Sequence, residues 1–275
     1  MITLKKLVKT VIMTILISSC SSPEAPKNQP TTVDENQGTL TLVANGEDFV
    51  RQGFITKDGW QVDFDHVYVT LNDVVAYQTE PPYDPESEQQ FNAKESVNLI
   101  SNSTTVDLAA GDENAKPIQI TQVKAPFGNY NALAWKLVND QETGASIVLE
   151  GKATKKEQTI NFLLSFSSPL EYVCGEFIGE ERKGIFTANT SAELETTFHF
   201  DHIFGDADTP MDDDLNVAAL GFEPLAKLSE NNQLKSNLKI LQQKLNSQDY
   251  QKLQKAISSL GHVGEGHCRL QNQPS

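Results

Sequence analysis

The chain has 275 residues, with 22 Lys and Arg against 37 Asp and Glu, a formal charge of −15 and three cysteines. That length admits one large domain or two small ones, and a 38% hydrophobic share is enough for a core, which excludes wholesale disorder. The acidic balance excludes a nucleic-acid binder, because phosphate recognition needs clustered Lys and Arg.

The first twenty residues read MITLKKLVKTVIMTILISSC. Lys5, Lys6 and Lys9 form a basic start, and residues 10–17 form an apolar run too short to span a bilayer. Ile17-Ser18-Ser19-Cys20 follows. This resembles the lipobox of bacterial lipoproteins: an aliphatic residue, two small ones and a Cys. The resemblance implies a signal peptide over 1–19, cleavage before Cys20 and lipidation of Cys20. Ser21 in place of Asp implies, by the same resemblance, sorting to the outer membrane of the cell envelope, facing the periplasm. More than one acyl chain makes a stable membrane anchor. Losing 1–19 leaves 19 basic against 37 acidic residues, or −18. Residues 20–38 carry Pro23, Pro26 and Pro30 and few apolar side chains, which predicts a flexible tether.

From 39 to 214 the pattern predicts a β domain. Residues 39–44 alternate polar and apolar, and so do Trp60, Val62 and Phe64. Val67, Val69 and Leu71 continue with the opposite parity. Further short runs rich in Val, Ile, Thr and Phe lie at 118–123, 131–138, 146–151, 159–165, 172–178, 184–187 and 194–200, with turn signals between them. No helical pattern intervenes, so the fold expected is mainly β, an antiparallel β-sandwich or barrel-like domain. Over 215–275 the period changes. Leu234, Leu238, Leu241 and Leu245 make one helical stripe, and Tyr250, Leu253, Ile257 and Leu260 a second, so a C-terminal αα-hairpin is expected, followed by a His- and Cys-bearing tail. With Cys20 lipidated, Cys174 and Cys268 remain, and in an exported chain they are expected to form a disulfide. Two thiolate metal ligands are the alternative. The disulfide would pin the tail to the strand that holds Cys174.

The histidines carry the functional signal. All five lie near acids: Asp63-Phe64-Asp65-His66, His199-Phe200-Asp201-His202 and His262-Val263-Gly264-Glu265-Gly266-His267. Leu194, Thr196, Phe198 and Phe200 share one strand face, which leaves His199 and Asp201 on the other and His202 at the strand end. Two imidazoles in H-x-x-H can reach one ion if the chain turns there, and Gly205 predicts that it does. Imidazole with carboxylate suits a divalent transition metal such as zinc or copper. The ligands expected are His199, His202, His262, His267 and His66, with Asp201 and Asp206. The chain without its signal peptide keeps one methionine, Met211, which argues against Cu(I).

Residues 201–214 contain six Asp, and Asp206, Asp208, Asp212 and Asp214 invite comparison with a calcium loop. The match to an EF-hand fails at Met211, where Gly is needed, and at Val217, where Glu is needed. A different calcium site remains an alternative, as does a loop that caps the next helix. No G-x-S-x-G elbow, phosphate-binding glycine loop or H-E-x-x-H helix occurs, so the chain reads as a binding protein rather than an enzyme. The expected function is capture, buffering or delivery of a divalent transition metal by a membrane-anchored periplasmic lipoprotein. Three rival readings stand beside it. One is a metal-free module that docks a periplasmic or outer-membrane protein, one a lipoprotein with a structural calcium loop, and the weakest a metal-dependent hydrolase.

Overall fold

The computed structural model describes residues 36–87, 91–175, 184–187, 190–264 and 266–271. The lipobox with Cys20, most of the tether, and Glu265 lie outside the described residues. No described helix is long and apolar enough to cross a membrane.

The chain is mainly β, in two principal sheets. Ten strands make the larger sheet, organised around one long strand, Gln61–Thr79. Across the sheet run Gln233–Asn237, Gln158–Phe166, Ile147–Lys155, Gln61–Thr79, Ala132–Leu137, Leu170–Cys174 and Cys268–Leu270. Phe54–Ile55, Ala93–Ile100 and Thr104–Asp107 also pair with the long strand. The smaller sheet has the order Gly261–His262, Ser191–Phe198, Gln37–Asn45, Ile118–Pro126.

The parity change in the sequence is a β-bulge. Phe64 faces Gly151 and His66 faces Glu150, so Asp65 is the extra residue. Val62 lies buried before the bulge, and Val67, Val69 and Leu71 lie buried after it. A second irregularity between Asn72 and Val75, with Asp73 at φ +48°, shifts the buried series again to Val74 and Ala76. A nineteen-residue strand thus keeps its apolar residues on the core side by inserting residues where the pleat would turn them outward.

Two expectations are corrected. First, the sheets are of mixed orientation and not purely antiparallel. Gln37–Asn45 runs parallel to Ser191–Phe198, and Gln158–Phe166 runs parallel to Gln233–Asn237. Alternation in a sequence reports which face is buried, not which direction the neighbour runs. Second, the C-terminal hairpin of two matched helices is not clearly formed. Leu234 lies in strand Gln233–Asn237, with Leu234 and Ser236 buried and Lys235 exposed. A spacing of four is even, so Leu234 and Leu238 satisfy a strand face as well as a helical stripe. Helix Leu238–Lys244 follows, with Asn237 as its cap, accepting from Ile240 N–H at 3.0 Å. Ser247–Ser258 is the one full helix here, capped by Asn246 and burying Leu253, Ala256 and Ile257.

One apolar cluster takes in both sheets and the C-terminal helix. Leu40, Leu42 and Leu194 come from the small sheet, Val69, Leu149 and Phe162 from the large one, and Leu253 and Ile257 from the helix. Cys174 and Cys268 face each other in register across the last two strands, at disulfide distance. This pairing docks the C-terminal strand Cys268–Leu270 on the edge of the large sheet.

Candidate metal centre

Strand Ser191–Phe198 ends where Phe198 and Phe200 are fully buried. The chain then turns into the short helix Asp201–Phe204, whose Ile203 and Phe204 are buried and whose C-cap, Gly205, has φ +67°. His202 N–H donates to the His199 carbonyl at 3.2 Å. The turn makes neighbours of residues that would lie far apart along a straight strand, and it sets the two rings with centroids 5.6 Å apart.

A third ring comes from the tail. His199 N–H donates to the Leu260 carbonyl, and Gly261–His262 pairs with Phe198 and Thr197. That register places His262 beside His199, centroids 4.2 Å apart, and 5.2 Å from His202. Gly264 N–H donates to Thr197 Oγ1 at 2.8 Å, and Val263 and Gly266 exchange backbone hydrogen bonds, so the tail is anchored on both sides of His262.

Hydrogen bonds fix the tautomers of two rings. His202 Nδ1 lies 2.9 Å from the Ser259 carbonyl, and His262 Nδ1 lies 3.3 Å from the Leu260 carbonyl. A carbonyl can only accept, so each Nδ1 carries the hydrogen and each Nε2 keeps its lone pair. Metal-binding imidazoles are oriented by this kind of outer hydrogen bond. His199 Nε2 lies 3.8 Å from the Glu47 carboxylate. Glu47 itself has φ +63°, and its N–H donates to Asn45 Oδ1.

Burial sets the protonation. It pushes the His262 pKa down to about 3, with the charge of His199 acting the same way. Burial also lowers His202, against the pull of the Asp201 carboxylate. It raises Asp201, against the pull of His202. Asp201 Oδ1 is buried and has no hydrogen-bond partner among the described residues. The neutral form is thus favoured at His202 and His262, beside a carboxylate oxygen without a donor.

Among the described residues, only His199, Asp201 and His202 bring three ligand atoms within 4.8 Å of one another. Tetrahedral bonds of about 2.1 Å to nitrogen separate ligand atoms by about 3.4 Å, against the 4.8 Å limit that bounds this set. The donors are imidazole and carboxylate. Sulfur is absent from the cluster: Cys174 and Cys268 are paired with each other, and Met211 is exposed. The residues present fit a borderline divalent ion.

His262 packs its ring against His199 and His202 but does not enter this three-ligand group, and the other sequence candidates lie further from it. The His267 ring centroid is 6.4 Å from that of His262; its side chain is half exposed, with Nδ1 3.6 Å from Glu86. Its carbonyl accepts from Gly175 N–H, beside the paired cysteines. His66 sits on the large sheet, stacked on Tyr68 and 2.8 Å from Asp107. Asp107 also accepts from the N–H groups of Val67 and Ala109, so this is a self-contained surface pair. The Asp206 carboxylate accepts from Asp208 N–H and Thr209 Oγ1 within its own loop. Asn216 reaches into that loop, donating to the carbonyls of Asp206 and Thr209. Asp213, not Asp212 or Asp214, caps helix Asp214–Ala218. Asp208, Asp212 and Asp214 do not enter any three-ligand group among the described residues.

No family model, curated protein or solved structure matches this chain. The site therefore rests on its own geometry. Sequence reasoning missed Glu47 and the carbonyls of Ser259 and Leu260. Glu47 follows Asn45-Gly46, which reads only as a turn, and a backbone carbonyl has no sequence signal.

Proposed function

We propose that the chain is a lipid-anchored lipoprotein of the bacterial cell envelope that captures a divalent transition metal, zinc or copper(II). His199, His202 and His262 would supply imidazole nitrogen, and Asp201 a carboxylate oxygen. His267, half exposed beside the cluster, would serve as the outer ligand during uptake and release. The observation that carries this reading is the backbone hydrogen bonding of His202 and His262. It leaves Nε2 lone pairs on neighbouring neutral rings next to His199. Three clustered imidazoles and a carboxylate lacking a donor are costly without an ion and favourable with one.

Anchoring rests on the lipobox resemblance at Cys20. A chain of −18 after cleavage would be repelled by anionic headgroups and would stand off on the 20–38 tether. In an oxidising compartment Cys174 and Cys268 would be joined as a disulfide. The test is elemental analysis of the full-length chain in non-ionic detergent, after dialysis against a mixture of Zn²⁺, Cu²⁺, Ni²⁺, Mn²⁺ and Ca²⁺. Retention of about one equivalent of zinc or copper, lost in His199→Ala/His262→Ala, is the expected result. Retention that is unchanged in that variant, or no retained transition metal, would overturn the reading.

A further inference from the structure

A cavity of about 640 Å³ opens where the parallel strands Gln158–Phe166 and Gln233–Asn237 come to their ends. That volume lies in the range of small-molecule sites. The loop carrying Thr143 closes one side, and the start of helix Leu238–Lys244 closes the other. The polar lining includes Lys235, Lys239, Ser165, Ser167, Ser236 and Asn237, and no carboxylate contributes to it. This is unexpected in a chain with 37 acidic residues against 22 basic ones.

The polar groups are available as donors. Among the described residues no carboxylate lies within ion-pair distance of Lys235 or Lys239, whereas Lys94, Lys136, Lys152, Lys155, Lys227 and Lys244 each have such a partner. Ser167 Oγ accepts from Asn139 Nδ2 at 2.7 Å, so its O–H is left to donate. The Asn237 carbonyl oxygen is used by Ile240 N–H, which leaves its amide hydrogens. Ser236 is 5% exposed, and its hydroxyl is buried with no hydrogen-bond partner. That hydroxyl lies behind the cavity wall, so the donors that face the cavity are the two lysines, Ser167 and the Asn237 amide.

We propose that this cavity binds a small organic phosphate, held by Lys235, Lys239, Ser167 and the Asn237 amide. A tetrahedral oxyanion can accept from several donors at once, and lysine serves it as a point charge. A planar carboxylate is better matched by the arginine fork, and no arginine lines the cavity. The volume exceeds that of phosphate several-fold, and Leu238 with the part-exposed Ile240 gives the wall apolar surface for an organic part.

The test is isothermal titration calorimetry of the full-length chain in non-ionic detergent, with glucose 6-phosphate as the probe. Saturable one-to-one binding with a dissociation constant below about 1 mM is expected, weakened about ten-fold or more in Lys235→Ala/Lys239→Ala. Both side chains are exposed, so that variant should keep the fold, and circular dichroism would verify it. Inorganic phosphate should compete, glucose should not bind, and His262→Ala should leave the affinity unchanged. Three results would each overturn the proposal: no saturable heat from either phosphate up to about 10 mM, glucose binding as well as its phosphate, or equal affinity in the double-lysine variant.

Discussion

Reduction of the chain isolates the contribution of the Cys174–Cys268 link, because it changes no side-chain volume. The closed loop spans 94 positions. The chain-entropy expression assigns such a loop about 16 cal/mol/K, or about 4.7 kcal/mol at 25 °C, as an upper figure that residual denatured structure lowers. Unfolding a unit of about 240 residues carries roughly 0.5 kcal/mol/K of entropy, so the melting temperature should fall by about 9 °C. Trp60 and Trp135 are 2% and 1% exposed, so their fluorescence reports unfolding. Paired urea titrations, with and without a phosphine reductant, would measure the loss, and thiol titration would establish that two sulfurs had been released. The link also holds a three-residue strand on the sheet edge, so hydrogen exchange over 268–270 should rise before the rest of the chain unfolds. Coincident midpoints in the two titrations, with both thiols free, would refute the reasoning.

Three further outcomes are expected. His262→Ala should weaken zinc or copper binding about a hundred-fold or more, measured by competition with a chromophoric chelator, because it removes an oriented imidazole from the cluster; unchanged affinity would exclude His262 as a ligand. In chelator-treated protein the two extreme histidines should respond oppositely to pH. The folded pKa of His262 lies near 3, below its unfolded value of 6.5, so the unfolded chain binds the proton more readily and stability drains away as pH falls from about 6.5 towards 3. His66 is raised by its hydrogen bond to Asp107, so its contribution is present below 6.5 and lost as pH rises through the folded value; solvent screening keeps it small. Imidazole proton resonances would show His66 titrating above 6.5 and His262 silent through mild acid, and a His262 midpoint near 6.5 would contradict its burial. Phe204→Ala should cost about 3–5 kcal/mol in urea unfolding, because its ring packs against Phe54, Phe64 and Phe222. It should also weaken metal binding, since Phe204 anchors the turn that carries His202; a loss under about 1 kcal/mol would mean that the ring cluster adapts.

The β character and one local irregularity were legible in the sequence because burial leaves a period. The change of parity between Phe64 and Val67 is visible in the sequence, though only the pairing register makes it a bulge at Asp65, and the H-x-x-H followed by Gly205 announced the turn. Strand direction was not legible, since Leu40, Leu42 and Leu194 alternate alike whether their strands run parallel or antiparallel. The edge strand Gln233–Asn237 was hidden by a leucine spacing that fits two periods. The approach of His262 to His199 could be expected only as a consequence of residue types. What creates it is the pairing of Gly261–His262 with Phe198, a long-range register that a single sequence does not state. Asp206 was read by its charge, whereas in the structure its carboxylate is spent on its own loop.

The segment that brings His262 to the cluster is separated from His199 and His202 by about sixty residues of chain. His202 is oriented by a carbonyl 57 positions further along, and His262 follows that carbonyl by three. A chain in which 259–262 has not yet docked thus lacks both the third ring and the carbonyl that orients His202, however much of its β structure has formed. If the proposed ion binds through all three rings, loading waits on the docking of 259–262 against the strand end and becomes a record that this long-range contact has closed.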